Sequence, residues 1–303
     1  MRHDTAIDYR RRIEGVLRHI QLHLDEPMTP EELAGLAHIS KYHFHRVFSG
    51  MVGESVGEHV RRLRLERAAG ALRRTDDSVI QIALASGYNA HEPFTRAFKA
   101  HFGMTPSEHR EGNGALVFPE APNRIHYGPD DAVSRFVPLM RENPMEKIER
   151  RTLEPMRLLA ARHEGSYRGI GAAFGRLFGW AGPRGLVGPF VKTIGVYYDD
   201  PRAVEESSLR SDACIGLGPN VKVEPTDGLR IIETPGGECA VATYRGPYER
   251  IDEAYEWLFG TWLPESGLAV RDEPVMEIYL NNPQTTKPAD LLTEICAPVA
   301  TED

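Results

Sequence analysis

The segment FHRVFSGMVGESVGEH, residues 44–59, returns 50 positions later as FTRAFKAHFGMTPSEH, residues 94–109. Phe, Arg, Phe, Gly, Glu and His hold the same places in both copies. Each copy follows a short amphipathic stretch that ends in a turn, LAGLAHIS (residues 33–40) or IALASGYN (residues 82–89). So many matches at one offset indicate two copies of one supersecondary unit. Each unit is predicted to be a helix, a tight turn and a second helix.

The second helix of each unit has an apolar and a polar face. In the first unit the apolar residues from Phe44 to Met51 recur at i, i+3, i+4 and i+7, the spacing of a buried helical stripe. A helix with a polar outer face fits the major groove of DNA, where arginine can pair with guanine. The predicted DNA-reading side chains are Lys41, Tyr42, His45, Arg46 and Ser49 in the first unit and His91, Glu92, Thr95, Arg96 and Lys99 in the second.

A long continuous helix is predicted to join the units over residues 57–72, with Arg61 on it as a further DNA contact. A rigid connector would fix the two reading helices relative to each other. One chain could then address two successive major-groove faces, about 34 Å apart. The alternative is that the arginines form an ordinary solvated surface. Polar and basic residues recur at equivalent positions in both units. This recurrence favours DNA binding, since nothing requires an ordinary solvated surface to repeat.

Charge is unevenly distributed along the chain of 303 residues, whose 36 Lys and Arg against 44 Asp and Glu give a net charge of −8. Residues 1–112 hold 16 basic and 15 acidic residues, whereas residues 113–303 hold 20 and 29. Turn-forming residues cluster between the two parts. We therefore predict an all-α N-terminal domain (1–112), a linker (113–144) and a C-terminal domain (145–303).

Several classes of protein are disfavoured by the sequence. No apolar stretch is long enough to span a bilayer, and no secretory signal is apparent. Cys214, Cys239 and Cys296 are scattered and form neither a disulfide framework nor a metal-binding cluster. We expect a cytoplasmic protein without cofactor, metal, membrane partner or catalytic residues.

The C-terminal part also repeats itself, at offsets of 81 and 82 positions. GSYRGI (165–170) corresponds to GPYERI (246–251), and IGVYYDDP (194–201) corresponds to MEIYLNNP (276–283). Each copy is predicted to contain a strand, a helix and two strands. The result is an α+β domain of two pseudo-symmetric strand-helix-strand-strand modules, with a cleft at their junction.

Residue alternation on the strands divides the side chains between two faces. It is predicted to place Ile194, Val196, Met276, Ile278 and Leu280 under the helices, with Tyr197 and Tyr279 in the cleft. Glu294 stands on an otherwise apolar strand, where a carboxylate among aromatic rings would suit a lipophilic cation. The alternative is that the aromatic residues are core and Glu294 pairs with an arginine. The candidate effector-binding residues are Glu294, Tyr197, Tyr279, Phe174, Tyr255 and Trp180.

Two family resemblances rest on these motifs. Residues 8–110 resemble the DNA-binding domain of AraC-type transcription regulators, through the doubled helix-turn-helix and the run from Ile82 to Arg110. In that family a polar pair precedes the position of Phe94. Here the pair is Glu92 and Pro93, which implies fewer base contacts from the second helix.

Residues 145–298 resemble the GyrI-like effector-binding domain. The matching motifs are VYYDDP (196–201), RSD (210–212), PGGECAV (235–241), EIYLNN (277–282) and LTEI (292–295). The resemblance implies a groove between the modules that takes hydrophobic, often cationic, compounds. It also implies a glutamate on the last strand, and Glu294 occupies that position.

Together these features predict a bacterial transcription regulator that is not an enzyme. Its expected partners are double-stranded DNA, RNA polymerase and a small hydrophobic effector, either neutral or cationic. Two alternatives stay open for the C-terminal domain. It could be a small-molecule hydrolase with Glu294 as general acid or base, or a ligand-free protein-interaction module.

Overall fold

The computed structural model describes residues 2–112, 117–128, 133 and 136–301. The N-terminal region is helical and is followed by a mixed region of strands and helices. Its helices are α1 (Arg2–Leu22), α2 (Pro30–Ala37), α3 (Phe44–Val52), α4 (Val56–Arg74), α5 (Val79–Ala85), α6 (His91–Phe102) and α7 (Pro106–Glu111).

Four of the described helices begin with the same capping box. The side chain of Thr29, Ser55, Ser78 or Thr105 accepts a hydrogen bond from the backbone N–H three residues later, and the Glu or Gln there bonds back. A capping box satisfies backbone donors that would otherwise lack partners. Ser55 and Thr105 stand 50 positions apart, at equivalent places near the end of the two repeat copies. Each copy therefore ends with the cap of the next helix.

The C-terminal region is built on one antiparallel sheet. The strand order is β1-β6-β9-β8-β3-β4-β2-β5, and β7 pairs with β9. The strands are β1 (Met145–Leu153), β2 (Met156–Glu164), β3 (Thr193–Tyr197), β4 (Arg210–Gly216), β5 (Leu229–Thr234), β6 (Gly237–Arg245), β7 (Leu268–Val270), β8 (Val275–Tyr279) and β9 (Leu292–Thr301). The helices are α8 (Gly171–Ala181), α9 (Ile251–Trp257) and α10 (Leu263–Ser266), with a π-helical stretch, Leu258–Trp262, between the last two.

The helices cover the opposite face of the sheet from the one predicted. Ile194, Val196, Met276 and Ile278 share a face, but they pack with the three cysteines away from the helices. Leu280 is about half exposed, at 49%. The helix-bearing face carries small residues, among them Ala161, Ala213, Ala240 and Ala242, which let a helix approach the sheet closely.

The face without helices is buried because the sheet is curled. β1 and β2 lie near opposite ends of the strand order, yet only two residues join them. This connection brings both ends of the sheet together around the apolar cluster. Tyr197 and Tyr279 therefore point to the helix-bearing side, between α8 and α9.

The largest apolar core runs through both predicted domains. It joins Ile13 of α1 and Phe48 of α3 to Phe259 and Ile295 of the C-terminal region. The second helix-turn-helix unit has a separate core, which includes Leu65, Phe94 and Phe98. The first unit therefore shares its core with the C-terminal domain, whereas the core of the second unit, among the described residues, contains none from the sheet. None of the described helices has the length and apolarity needed to cross a bilayer.

Candidate functional site

The polar face of α6 is presented to solvent. The Arg96 side chain is 74% exposed, and His91, Glu92 and Lys99 are exposed as well. Thr95 is half-buried. Arg96 and Glu92 approach to 3.9 Å, a distance at which an exposed pair contributes little. The structure thus brings the five predicted residues of the second unit together on one accessible surface.

The polar face of α3 is covered by the C-terminal domain. Arg46 is only 7% exposed and Ser49 is buried, whereas Tyr42 and His45 are half-buried and Lys41 is exposed. The prediction that α3 and α6 present their polar faces together is therefore not met in this conformation. The reason is tertiary, since the helix itself forms as the apolar stripe predicts. Arg61 on α4 is exposed.

Glu277 lies at the centre of an aromatic cluster between α8 and α9. The residue is 4% exposed, and its carboxylate accepts hydrogen bonds from the hydroxyls of Tyr255 (2.8 Å) and Tyr279 (3.0 Å). The hydroxyl oxygens of Tyr279 and Tyr197 are 2.7 Å apart. The hydroxyls are thus linked in a chain that ends on one buried carboxylate.

Gly195 of β3 makes room for this arrangement. It pairs with Glu277 of β8 across the sheet. A Cβ atom on Gly195 would lie 2.6 Å from the Tyr197 ring and 2.7 Å from the Tyr279 hydroxyl. Only glycine leaves the space that the two rings occupy above the strand.

Further aromatic rings enlarge the cluster. Tyr167 packs edge-on against Tyr197 with ring centroids 4.8 Å apart. Phe174 and Tyr248 pack in the same way against Tyr279, at 5.8 and 5.6 Å. Tyr167 and Tyr248 come from the repeated turn motifs GSY and GPY.

Burial is the largest influence on the ionisable groups of this cluster. Burial raises the pKa of Glu277, whereas the hydrogen bonds from Tyr255 and Tyr279 and the charge of Arg46 act to lower that pKa. Burial also raises the pKa of Tyr197, Tyr255 and Tyr279 well above the usual value, so their hydroxyls stay protonated at neutral pH. A buried carboxylate among aromatic faces attracts a lipophilic cation by charge and by cation–π interaction.

Two predicted effector residues lie elsewhere, which corrects the sequence assignment. Glu294 is opposite Ile278 in the β8–β9 register and shares its face, away from the helices. Its Oε1 accepts a hydrogen bond from Arg151 Nη2 at 2.6 Å, as in the alternative stated above. The Trp180 indole donates to Thr226, outside the cluster around Glu277.

Sequence reasoning missed Glu277, Tyr167 and Tyr248 as functional residues. Glu277 stands two positions before Tyr279, so strand alternation places both on one face. Its position between the apolar residues Met276 and Ile278 was the same signal that singled out Glu294. In the described part of the chain, no three His, Cys, Asp or Glu residues are grouped so as to hold a metal ion.

Comparisons with known proteins match both halves of the chain. A family model described as the GyrI-like small molecule binding domain matches residues 146–300, and a helix-turn-helix domain model matches residues 33–112. These two matches confirm the predicted pairing of an AraC-type helix-turn-helix region with a GyrI-like domain.

Three curated relatives are similar in the helical region. The probable transcription factor PqrA of Proteus vulgaris is 40% identical over 96 residues, covering 32% of this chain and 78% of PqrA. The regulatory protein SoxS of Salmonella typhimurium is 33% identical over 98 residues, covering 32% of this chain and 92% of SoxS. The transcriptional regulator Rob of Salmonella typhimurium is 36% identical over 106 residues, or 35% of this chain. The match spans only 37% of Rob.

Proposed function

The chain belongs to the GyrI-like family through residues 146–300 and to the AraC-type helix-turn-helix regulators through residues 33–112, and from this premise we propose that it is a transcription regulator. It binds duplex DNA through the helical region and a small hydrophobic cation through the C-terminal domain. The observation that carries the ligand assignment is the burial of Glu277, at 4% exposure, among tyrosine rings.

The DNA interface of this proposal is the exposed face of α6 together with Arg61. The side chains available for base contacts are His91, Thr95, Arg96 and Lys99. Lys41, Tyr42, His45, Arg46 and Ser49 join them when α3 is accessible. Glu92 next to Arg96 repels phosphate, although a carboxylate can accept a hydrogen bond from the cytosine amino group.

The ligand site consists of Glu277, Tyr197, Tyr279, Tyr255 and Phe174, with Tyr167 and Tyr248 at its edge. We interpret the two strand-helix-strand-strand modules as pseudo-symmetric halves that meet here. The antiparallel pairing of β3 with β8 and the contact between the Tyr197 and Tyr279 hydroxyls support this interpretation. The domain boundaries 1–112 and 145–303, and the role of α4 as the rigid connector, are part of the same proposal.

The ligand assignment is tested with the full chain and the fluorescent lipophilic cation rhodamine 6G. We expect Glu277→Gln to weaken dye binding at least tenfold, because the neutral amide keeps the shape and removes the charge. Glu294→Gln is the matched control and should leave the affinity unchanged. Equal affinity of both variants and the wild type would refute the site. Chemical turnover of the dye would favour the hydrolase alternative, and a chain that binds no ligand would favour the interaction module.

The DNA assignment is tested on duplexes selected from a random pool. Arg96→Ala should relax the selected sequence, because a bidentate arginine contact distinguishes guanine from other bases. Arg61→Ala should weaken binding to all sequences alike and reduce its salt dependence. Contact with RNA polymerase remains part of the proposal. Its effect on transcription is measured with a promoter that carries the selected sequence.

A further inference from the structure

Helix α3 and the residues just before it are bonded to the C-terminal domain at three points. Arg46 Nη2 donates to the Asp199 carbonyl at 2.9 Å, and the ring of His43 lies 2.8 Å from the Glu273 carbonyl. Ser40, just before α3, donates to Asp272 at 2.7 Å. Groups on and next to the first reading helix are therefore engaged within the chain.

The backbones of α3 and the C-terminal domain also meet directly at two glycines. A Cβ atom on Gly260 would lie 2.4 Å from the backbone carbon of Gly50, and one on Gly50 would lie 2.6 Å from the Gly260 Cα. A contact this close exists only because neither residue has a side chain. No DNA backbone or base could share this face of α3.

Arg46 reaches the ligand site from this contact. Its guanidinium lies over the ring of Tyr255 at 5.0 Å and over that of Phe259 at 5.8 Å. Tyr255 is one of the two hydroxyl donors to Glu277. The Arg46 Nη1 atom is buried without a hydrogen-bond partner in the described part of the chain. The guanidinium thus has the cation–π contacts that a ligand would use, but its hydrogen bonding is incomplete.

We propose that Arg46 is an internal ligand of the Glu277 site, and that a cationic effector displaces it and releases α3 to DNA. The inference rests on the proposed function, since it names how that ligand site regulates that DNA interface. In the ligand-free chain α6 alone reads DNA. In the effector-bound chain both helices read it, in two successive major grooves.

The composition of the contact is compatible with release. From α3 and its N-cap it contains the polar or small residues His43, Arg46, Ser49 and Gly50, which water can solvate. Release also exposes apolar residues of α3, such as Phe48, that share a core with the C-terminal domain, and binding of the effector has to offset this cost. The Tyr255 ring that Arg46 uncovers would be covered by the effector.

The first experiment compares DNA sequences selected from a random duplex pool by the full chain without effector. Gly260→Ala should separate α3 from the C-terminal domain without altering a DNA-contacting residue. Its control is Gly179→Ala, at the equivalent position 81 residues earlier in α8, where an added Cβ meets nothing within 4 Å. We expect the wild type and Gly179→Ala to enrich one conserved block of bases. Gly260→Ala should enrich two blocks, about 10 base pairs apart.

Two results would overturn the inference. One is a wild-type chain that already selects two blocks, which would mean that α3 is accessible without effector. The other is a Gly260→Ala chain that still selects one block. Failure of every chain to enrich any sequence would instead contradict the DNA-binding function itself.

The second experiment is independent of DNA and measures rhodamine 6G affinity in the full chain. Arg46→Ala should bind the dye about tenfold more tightly, because the internal competitor contributes a partly desolvated cation–π contact and a hydrogen bond. Arg18→Ala, an exposed substitution on α1, is the control and should match the wild type. Unchanged or weaker binding by Arg46→Ala contradicts the inference. Absence of dye binding by every chain contradicts the ligand site.

Discussion

At the scale of single residues, Glu277 shows how neighbouring groups oppose the cost of burying a carboxylate, although burial still leaves its pKa raised. Burial disfavours ionisation of a carboxylate unless hydrogen bonds or an opposite charge compensate. Here Tyr255 and Tyr279 donate to the two oxygens, and the Arg46 guanidinium adds a positive charge nearby. Removing one of these groups raises the free-energy cost of a buried carboxylate charge. When Arg46 leaves, a bound cation therefore stabilises the charge of Glu277 in its place.

Substitution of Gly195 tests the contribution of the aromatic cluster to ligand binding without changing the charge of Glu277. Gly195→Ala should lower rhodamine 6G affinity at least tenfold, because the added Cβ would push the Tyr197 ring and the Tyr279 hydroxyl away from their positions. Gly216→Ala, on the neighbouring strand β4, is the control, since its Cβ would meet its nearest neighbour at an ordinary 3.7 Å. Dye titration of the two variants measures the effect, and equal affinities would show that the cluster does not form the site.

His43 predicts how the contact of α3 responds to pH. Burial lowers the pKa of His43 to about 3, as does the charge of Arg46, while carbonyls of Glu273 and Arg271 and the charge of Asp272 oppose this. The docked chain keeps His43 neutral, whereas a released His43 binds a proton near its ordinary pKa of about 6.5. The docked state is therefore fully stable above about pH 6.5 and loses about 1.4 kcal/mol per pH unit below it, down to about pH 3.

Hydrogen exchange of the α3 amides, corrected for intrinsic rates, measures this dependence between pH 7.5 and 5. Protection should fall on acidification in the wild type. His43→Gln cannot take up the proton and should show a much flatter profile. A wild-type profile as flat as that of His43→Gln would mean that His43 does not control the contact.

At the scale of helices and strands, two adjacent arginines of α4 should behave in opposite ways. Arg62 is buried and bonds to Glu54, Glu66 and the carbonyl of Ile125, which ties the 117–128 segment to α4. Arg62→Met would remove the guanidinium charge that faces two buried carboxylates, so we expect unfolding free energy to fall by roughly 3–5 kcal/mol. Arg61→Ala on the exposed face should change it by less than about 0.5 kcal/mol. Urea unfolding of both variants measures the two losses of unfolding free energy. Losses of similar size would contradict the prediction.

The regular elements were predictable because local physics determines them. The capping residues Ser55 and Thr105 and the apolar stripe of α3 define helix starts and buried faces without tertiary information. Strand alternation also grouped Ile194 with Val196, and Tyr197 with Tyr279, correctly. It could not show which face the helices cover, because apolar residues line both faces of this sheet.

The site was only partly predictable because it depends on register and on docking. Glu277 and Glu294 both stand on apolar strands, and only the β8–β9 register shows that they point to opposite faces. The docking of α3 uses Arg46, Ser49 and Gly50, whose sequence pattern is that of a solvated helix face. Hydrophobic periodicity carries no signal for a polar surface that becomes buried.

At the scale of the whole molecule, the cores do not follow the division into a DNA-binding and a ligand-binding half. One apolar core contains residues of α1, α3, the 117–128 segment and the C-terminal sheet, and a second core, among the residues that the structure describes, is formed by the region from α4 to α6 together with Phe118. A ligand bound beside Tyr255 therefore acts on the same packed unit that holds α3. The α6 unit, with its own core, can stay folded and exposed in either state.

This arrangement predicts two levels of hydrogen-exchange protection in the full chain. Amides of α3 should exchange as slowly as those of β8 and β9, because they open only when the shared core opens, whereas amides of α5 and α6 should exchange faster as an independent unit. Saturating rhodamine 6G should then lower the protection of α3 and raise that of β8, since the dye stabilises the site and displaces Arg46. The α6 amides, which belong to the separate core, serve as the internal control and should not change. If α3 exchanged as fast as α6 before the dye was added, the shared core would not restrain the first reading helix, and a bound effector would have nothing to release.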